Sequence, residues 1–393
     1  MDISKLDTEY EFYKENSLPF RHYKYSEYND VIKKHQHKSF FKFWKEEFSF
    51  EGRKINIIEY GTGAETVLIW SQMHGNEPVS TLSLMDCINF LCADYDSDRF
   101  LFNNLRIVMI PLLNPDGNEL FDRRNAQGID INRDARTLIS PEARILTEVH
   151  GKVNPKFALN LHDQELYYTS KPLLLQTVLA MLAPECDDKK SVTPTRLRAM
   201  KVISEVYCKL RGLTEGRVAR YTDDFTPSAF GDTFMERGTS SILIESGSIS
   251  EDNDRKFARK VVFLAIINAL TTIANKSYEK QSAEVYNNLP DNQRYNGYDL
   301  KINNLTVETI HGSYTLDLGI RRIKPSHNPE DFTDDFSDYR IANIGKLDTF
   351  GGIKVFDASG WKLCGNYTKI RMLSKADFDI TDGNTILNIS KLL

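Results

Sequence analysis

The sequence predicts an α/β fold, a mixed and mainly parallel sheet flanked by helices, followed by a small all-β domain. Two observations carry this. Short runs rich in apolar and β-branched residues at 66–70, 105–110, 157–161 and 241–245 alternate with longer helical stretches, the pattern of strand and crossover helix. Past a segment at 277–293 that reads as a linker, the period changes to short alternating runs separated by Gly, Asn, Asp or Pro turns.

In chain order, residues 1–46 are rich in Tyr, Lys, Glu and His without strand alternation, and read as a helical or irregular arm packed on the main domain. Its His22, His35 and His37 read as solvated, and His35 and His37 would not share a helix face. Residues 47–288 form the main domain. The strand at 66–70 leads through a turn into a helix at 78–91, which Pro78 opens at a first-turn position. The strand at 105–110 is followed by Asn114-Pro115-Asp116-Gly117, which reads as a turn. Further helices are expected at 140–149, 195–210 and 255–274, the last apolar on more than one face and so buried. In residues 293–393, runs at 298–307, 314–323, 339–347, 352–363 and 386–389 suggest a small sandwich or barrel.

The chemistry concentrates in the main domain. His74 and Glu77 lie three apart in a turn that Gly75 allows to bend tightly, and His162 ends the strand that begins at 157. Two imidazoles and a carboxylate occupy three corners of a zinc tetrahedron and leave the fourth open, the arrangement of catalytic zinc sites. An isolated His-x-x-Glu pair is common by chance, and His162 alone would pass for a half-buried histidine. The stretch between them decides the matter: Asn114-Pro115-Asp116-Gly117 is followed by Arg123-Arg124-Asn125-Ala126-Gln127-Gly128-Ile129-Asp130-Ile131-Asn132-Arg133-Asp134.

These motifs, in this order, resemble the zinc carboxypeptidase family over roughly residues 50–275. The resemblance implies one Zn²⁺ per chain held by His74, Glu77 and His162, and a general base in Glu245, at the end of the 241–245 strand. It implies that Arg123 polarises the scissile carbonyl, while Asn132 and Arg133 grip the substrate's terminal carboxylate, a task for which a guanidinium fork is suited. Asp232 lies where the family builds its side-chain pocket, and is read either as an acidic floor or as the cap of a helix at 233–236. Tyr221 is the nearest candidate for the tyrosine that closes over substrate. The chain departs from the family at Asp134, where a second Asn is usual, and at Asp163-Gln164, where Ser or Gly commonly follows the distal histidine. The implied substrate is a peptide or muropeptide with a free C-terminal carboxylate. A second reading is an N-acyl amino acid deacylase of the succinylglutamate desuccinylase or aspartoacylase type, against which Asn114-Pro115-Asp116-Gly117 argues. A third is a binding module in a degenerate peptidase fold.

Composition narrows the partners. A net charge of −5 argues against nucleic acid, and mean hydropathy is −0.42. No apolar run is expected to reach the ~18 residues of a membrane helix, and residues 1–20 hold no secretory pattern. Five cysteines, Cys87, Cys92, Cys186, Cys208 and Cys364, are odd in number and lack metal-motif spacing, so they read as reduced and the chain as cytoplasmic.

Overall fold

The computed structural model describes residues 3–18, 22–96, 99–164, 167–221, 224–249, 252, 254–294, 296–322 and 338–393. The chain divides into two compact units. The larger comprises residues 1–166, 177–248 and 252–292, and the smaller 167–176, 249–251 and 293–393. The boundary thus differs from the contiguous 47–288 and 293–393 expected: residues 167–176, which directly follow the His162 strand in sequence, cluster with the β-rich unit.

The larger unit is built on a mixed sheet. Its strands are β1 (Phe41–Phe43), β2 (Ile58–Tyr60), β3 (Glu65–Ser71), β4 (Leu105–Ile110), β5 (Phe157–Asp163), β6 (Leu179–Leu182), β7 (Val218–Arg220), β8 (Ser240–Ser246) and β9 (Asp291–Gln293). They lie in the order β1-β2-β4-β3-β5-β8-β6-β7-β9. The pairs β4/β3, β3/β5 and β5/β8 are parallel, while β8/β6 is antiparallel. Every residue of β5 and β8 is buried, as expected of central strands covered on both faces.

Long helices cover the sheet. The Pro78–Asp96 and Lys256–Ala274 helices bury about three quarters of their positions, which explains why neither has a clean apolar stripe. Contrary to the expectation of no such run, Lys256–Ala274 is long and apolar enough to cross a membrane, with a mean hydropathy of 1.6. Its most apolar stretch is 83% buried within the protein, which makes it a core helix.

The arm is better ordered than its composition suggests. Helices Ile3–Tyr13 and Tyr25–Lys33 precede β1, which falls inside the 1–46 range. Arg259 grips Asp86 through two nitrogens at 2.8 and 2.6 Å, and both side chains are buried. Tyr10 and the Glu15 amide donate to the same carboxylate, so the pair also ties down the arm. His35 is buried against Cys92 and edge-on to Phe41, and His22 is half-buried on Phe121; only His37 is exposed as expected. The aromatic residues beside these histidines supply the burial that charge counting missed.

Two further expectations change. Asn114-Pro115-Asp116-Gly117 opens a short helix, Pro115–Leu120, with Asn114 as its N-cap. The segment read as a linker holds the helix Ala283–Asn287 and strand β9, anchored by buried Tyr278 and Tyr286. The smaller unit has a seven-stranded sheet and its own apolar core, including Leu300, Ile320 and Phe378. Its longest strands, Gly297–Thr309 and Gly312–Arg322, form an antiparallel pair. The run at 352–363 is split into Gly351–Asp357 and Lys362–Leu363, and Asp379–Thr381 is a strand that the sequence did not announce. Residue 323 lies outside the described residues.

The histidine on the Pro141–Val153 helix makes the core acid-sensitive. His150 stacks on Phe234 at 3.9 Å and meets the Thr239 hydroxyl at 2.8 Å, which itself donates to the Pro155 carbonyl. Burial pushes the His150 pKa down to about 4. An unfolded histidine titrates near ~6.5, so the unfolded chain binds more protons between these values. This contribution to stability is full above about pH 6.5 and is lost as pH falls toward 4. His150→Phe is expected to show a smaller drop in urea midpoint between about pH 7.5 and 5.5 than the parent chain; equal drops would remove His150 as the cause.

Candidate active site

The register of three parallel strands sets the site. In β5 and β8, His162 stands directly opposite Glu245 and Asp163 opposite Ser246. Opposed residues on adjacent parallel strands point to the same face, roughly 4.8 Å apart. On the other side of β5, Ser71 at the end of β3 pairs with Leu161. Residues 72–77 therefore leave β3 beside His162, at the carboxyl edge where open α/β sheets place their ligands.

The turn is fixed by close backbone packing. A Cβ on Gly75 would lie 1.9 Å from the backbone of Gly117, so only glycine fits there. Asn114 caps its own helix by accepting the Gly117 N–H at 2.8 Å and also donates to the Met73 carbonyl at 3.1 Å. Asp116, buried below, accepts from Ser49, the Glu51 amide and Arg53. The Asn-Pro-Asp-Gly motif is thus a helix start, braced against the ligand turn by Asn114 and tied to residues 49–53 by Asp116.

His74, Glu77 and His162 converge. Their relative exposures are 2%, 8% and 3%, and one donor atom from each lies within 4.8 Å of the others. The two histidine Nδ1 atoms are 3.2 Å apart, and the Glu77 oxygens approach them at 2.7 and 2.8 Å. Ligand atoms at tetrahedral zinc bond lengths would stand about 3.3 Å from one another, so this donor set fits the ion. Burial works against the charge on His74, but Glu77 and Asp130 outweigh it and raise its pKa. For His162 burial prevails over Glu77 and the pKa falls. The two imidazoles hold Glu77 well below the carboxylate range despite its burial.

Surrounding groups orient the ligands unequally. His74 Nε2 donates to Asp130 Oδ1 at 3.1 Å, which leaves Nδ1 free to face the centre. Asp130 also accepts the Asn132 N–H and the Arg123 Nε–H, so one carboxylate links His74, the 132–133 segment and Arg123. Sequence reading gave Asp130 no role of this kind; its place two residues before Asn132 in the conspicuous run was the available signal. His162 Nε2 is buried with no partner among the described residues. His162 is held instead through its neighbour, because the Asp163 carboxylate accepts the Val79 and Ser80 N–H groups at 2.7 and 2.9 Å.

The other expected residues are distributed as follows. Arg123 lies at the ligands, its Nη1 3.2 Å from His74 Nδ1 and 3.4 Å from Glu77 Oε1. Asn132 accepts the Phe230 N–H at 3.1 Å, and exposed Arg133 bonds the Asn132 carbonyl at 2.8 Å. Glu245 is buried at the ligand edge of β8. Asp232 accepts the Thr226 N–H at 3.1 Å and is the third residue of a helix spanning Phe230–Glu236, so it does not cap a helix at 233–236. The helix starts earlier because buried Phe230 and Phe234 pack edge to face as one apolar edge. Tyr221 follows β7, which runs parallel to β6 and so opposite to β8; its N–H bonds Met181. The chain at Tyr221 therefore runs away from the ligand edge. Thr222 and Asp223 lie outside the described residues.

Comparison with known proteins agrees with this geometry. A family model described as zinc carboxypeptidase matches residues 33–156. Carboxypeptidase 2 of Trichophyton rubrum is 30% identical over 125 residues, 29% of this chain and 23% of that protein. Human carboxypeptidase Z is 31% identical over 126 residues, 26% of this chain and 19% of that one. The matched stretch thus spans about a quarter or less of the length of these curated relatives. Among solved structures, a metallo-carboxypeptidase from Burkholderia cenocepacia superposes with a TM-score of 0.51 at 15% identity, over 65% of this chain and 70% of that one. Thrombin activatable fibrinolysis inhibitor gives 0.53 at 11% identity, over 70% and 80%. These likenesses extend the fold well past the residues of the family match. Because Asp130 sets the His74 tautomer, Asp130→Asn is expected to weaken zinc binding roughly 10- to 100-fold in a chelator competition; unchanged affinity would deny it that role. Residues 33–156 thus match the zinc carboxypeptidase family model, and the chain shares the fold of solved carboxypeptidases over about two thirds of its length.

Proposed function

We propose that this chain is a zinc-dependent metallocarboxypeptidase, with one zinc per chain, that hydrolyses the C-terminal amide bond of a peptide or muropeptide. The observation that carries the reading is the buried His74, Glu77 and His162 set, with Glu245 opposite His162 on the next strand. Zinc held by these three residues supplies a Lewis acid and lowers the pKa of water toward ~7.

The chain's own groups divide the remaining work. Glu245, buried at the strand end, takes a proton from the attacking water and returns it to the departing amine. Arg123, already beside the ligands, donates to the scissile carbonyl oxygen as negative charge develops there. Exposed Arg133 and half-buried Asn132 hold the terminal carboxylate. Asn132 comes to this task with its oxygen fixed by Phe230, which leaves its amide N–H groups to donate. We also infer a reducing compartment such as the cytoplasm, consistent with cysteines that are all unpaired.

The test is mass spectrometry of a mixed pool incubated with zinc-loaded protein: peptides of varied C-terminus, muropeptides and N-acyl amino acids. Loss of single C-terminal residues, falling by at least about 10³-fold in Glu245→Gln, is the expected result. Hydrolysis confined to the N-acyl amino acids would overturn the peptidase reading.

A further inference from the structure

We propose that Tyr23, in a segment that precedes the family match, is a positioning residue for the zinc-ligand turn, acting through Gln72 on the backbone between His74 and Glu77. The proposal rests on the zinc reading above. The arm that carries Tyr23 lies before residue 33, where the family match begins.

Three connections carry the inference. Tyr23 is fully buried, and its hydroxyl donates to Gln72 Oε1 at 2.5 Å. Gln72 in turn donates from Nε2 to the Gly75 carbonyl at 2.8 Å, across the turn and between the two ligands it presents. Gln72 also sits at φ +49°, a left-handed conformation that is unfavourable for a non-glycine residue and persists only where its surroundings hold it. Tyr23 fixes which way the buried amide points: its O–H must meet the oxygen, which leaves the nitrogen for Gly75.

The residues beside Tyr23 seal the same contact. His22 Nε2 meets the Asn118 carbonyl at 3.0 Å, and Lys24 Nζ donates to the Glu119 carbonyl at 2.8 Å. Asn118 directly follows Gly117, against whose backbone Gly75 is pressed. The arm therefore holds both walls of the ligand turn, one through Gln72 and the other through the Pro115–Leu120 helix. Without the Tyr23 hydroxyl, Gln72 Oε1 would be buried without a donor, and the amide would be free to rotate away from Gly75.

The experiment compares Tyr23→Phe with Tyr25→Phe in the full chain. Tyr25 belongs to the same arm, but its hydroxyl bonds the Lys54 carbonyl, away from the turn. Zinc affinity is read by chelator competition, and the melting temperature of the metal-free protein is read separately. Tyr23→Phe is expected to bind zinc about tenfold more weakly, Tyr25→Phe as tightly as the parent, with both metal-free variants folded. Gln72→Leu should match Tyr23→Phe, and the double variant should lose no more than either single one, because the two act in series. Parent-like zinc affinity in Tyr23→Phe, or equal weakening in Tyr25→Phe, would overturn the proposal while leaving the zinc reading intact. A parent protein that binds no zinc would overturn both.

Discussion

Two candidate zinc ligands on one turn and a third some eighty residues later must meet within a few tenths of an ångström to hold one ion, and the Asp163 carboxylate is the joint that brings them together. Its oxygens take the N–H groups of Val79 and Ser80, in the first turn of the helix that follows Glu77. Its own N–H reaches Glu77 Oε2 at 3.2 Å, while the Ser80 hydroxyl donates to the His162 carbonyl at 2.6 Å. Strand β5 and the Pro78–Asp96 helix are thereby locked at the level of the ligands. Burial pushes the Asp163 pKa up to about 6, while the helix N–H groups and the positive end of the helix favour its charged form.

The opposite wall depends on sterics where Asp163 depends on charge. Gly75 and Gly117 touch backbone to backbone, and any side chain on Gly75 would force the turn off the helix that braces it. Asn114 then holds that helix and the turn at once. The ligand turn has little freedom left: the Gln72, Met73, His74 and Gly75 carbonyls each accept a hydrogen bond from within this small region. Such rigidity is what a metal site requires, since donor atoms that need no rearrangement lose no ordering entropy when the ion enters.

Legibility followed the range of the interactions. The central strands and long helices were visible because their apolar runs are local, and the donor set was visible because its motifs have specific content. What escaped depends on contacts distant in sequence. Asn-Pro-Asp-Gly reads as a turn in isolation, and becomes a helix start because Gly75 and Met73 pack on it. The segment 277–293 looks like a linker until Tyr286 is seen accepting the Ala183 N–H, far off in sequence. His35 looks solvated until Phe41 and Cys92 are brought around it. Asp130 was in plain view, yet only the fold aims it at His74 Nε2.

The two departures from the family pattern have a common physical explanation. Asp134 accepts the Ile139 and Ser140 N–H groups and the Ser140 hydroxyl, immediately before the Pro141–Val153 helix. Asp163 does the equivalent at the Pro78–Asp96 helix. Each helix opens with proline, which donates no N–H, and each carboxylate collects backbone donors at or just before the first turn, where anions are favoured. Each also follows a candidate functional residue directly, Arg133 in one case and His162 in the other. The substitutions therefore place buried anchors beside the residues they serve and leave the reacting groups unchanged. The departures thus concern how the segments that carry the candidate residues are held in place.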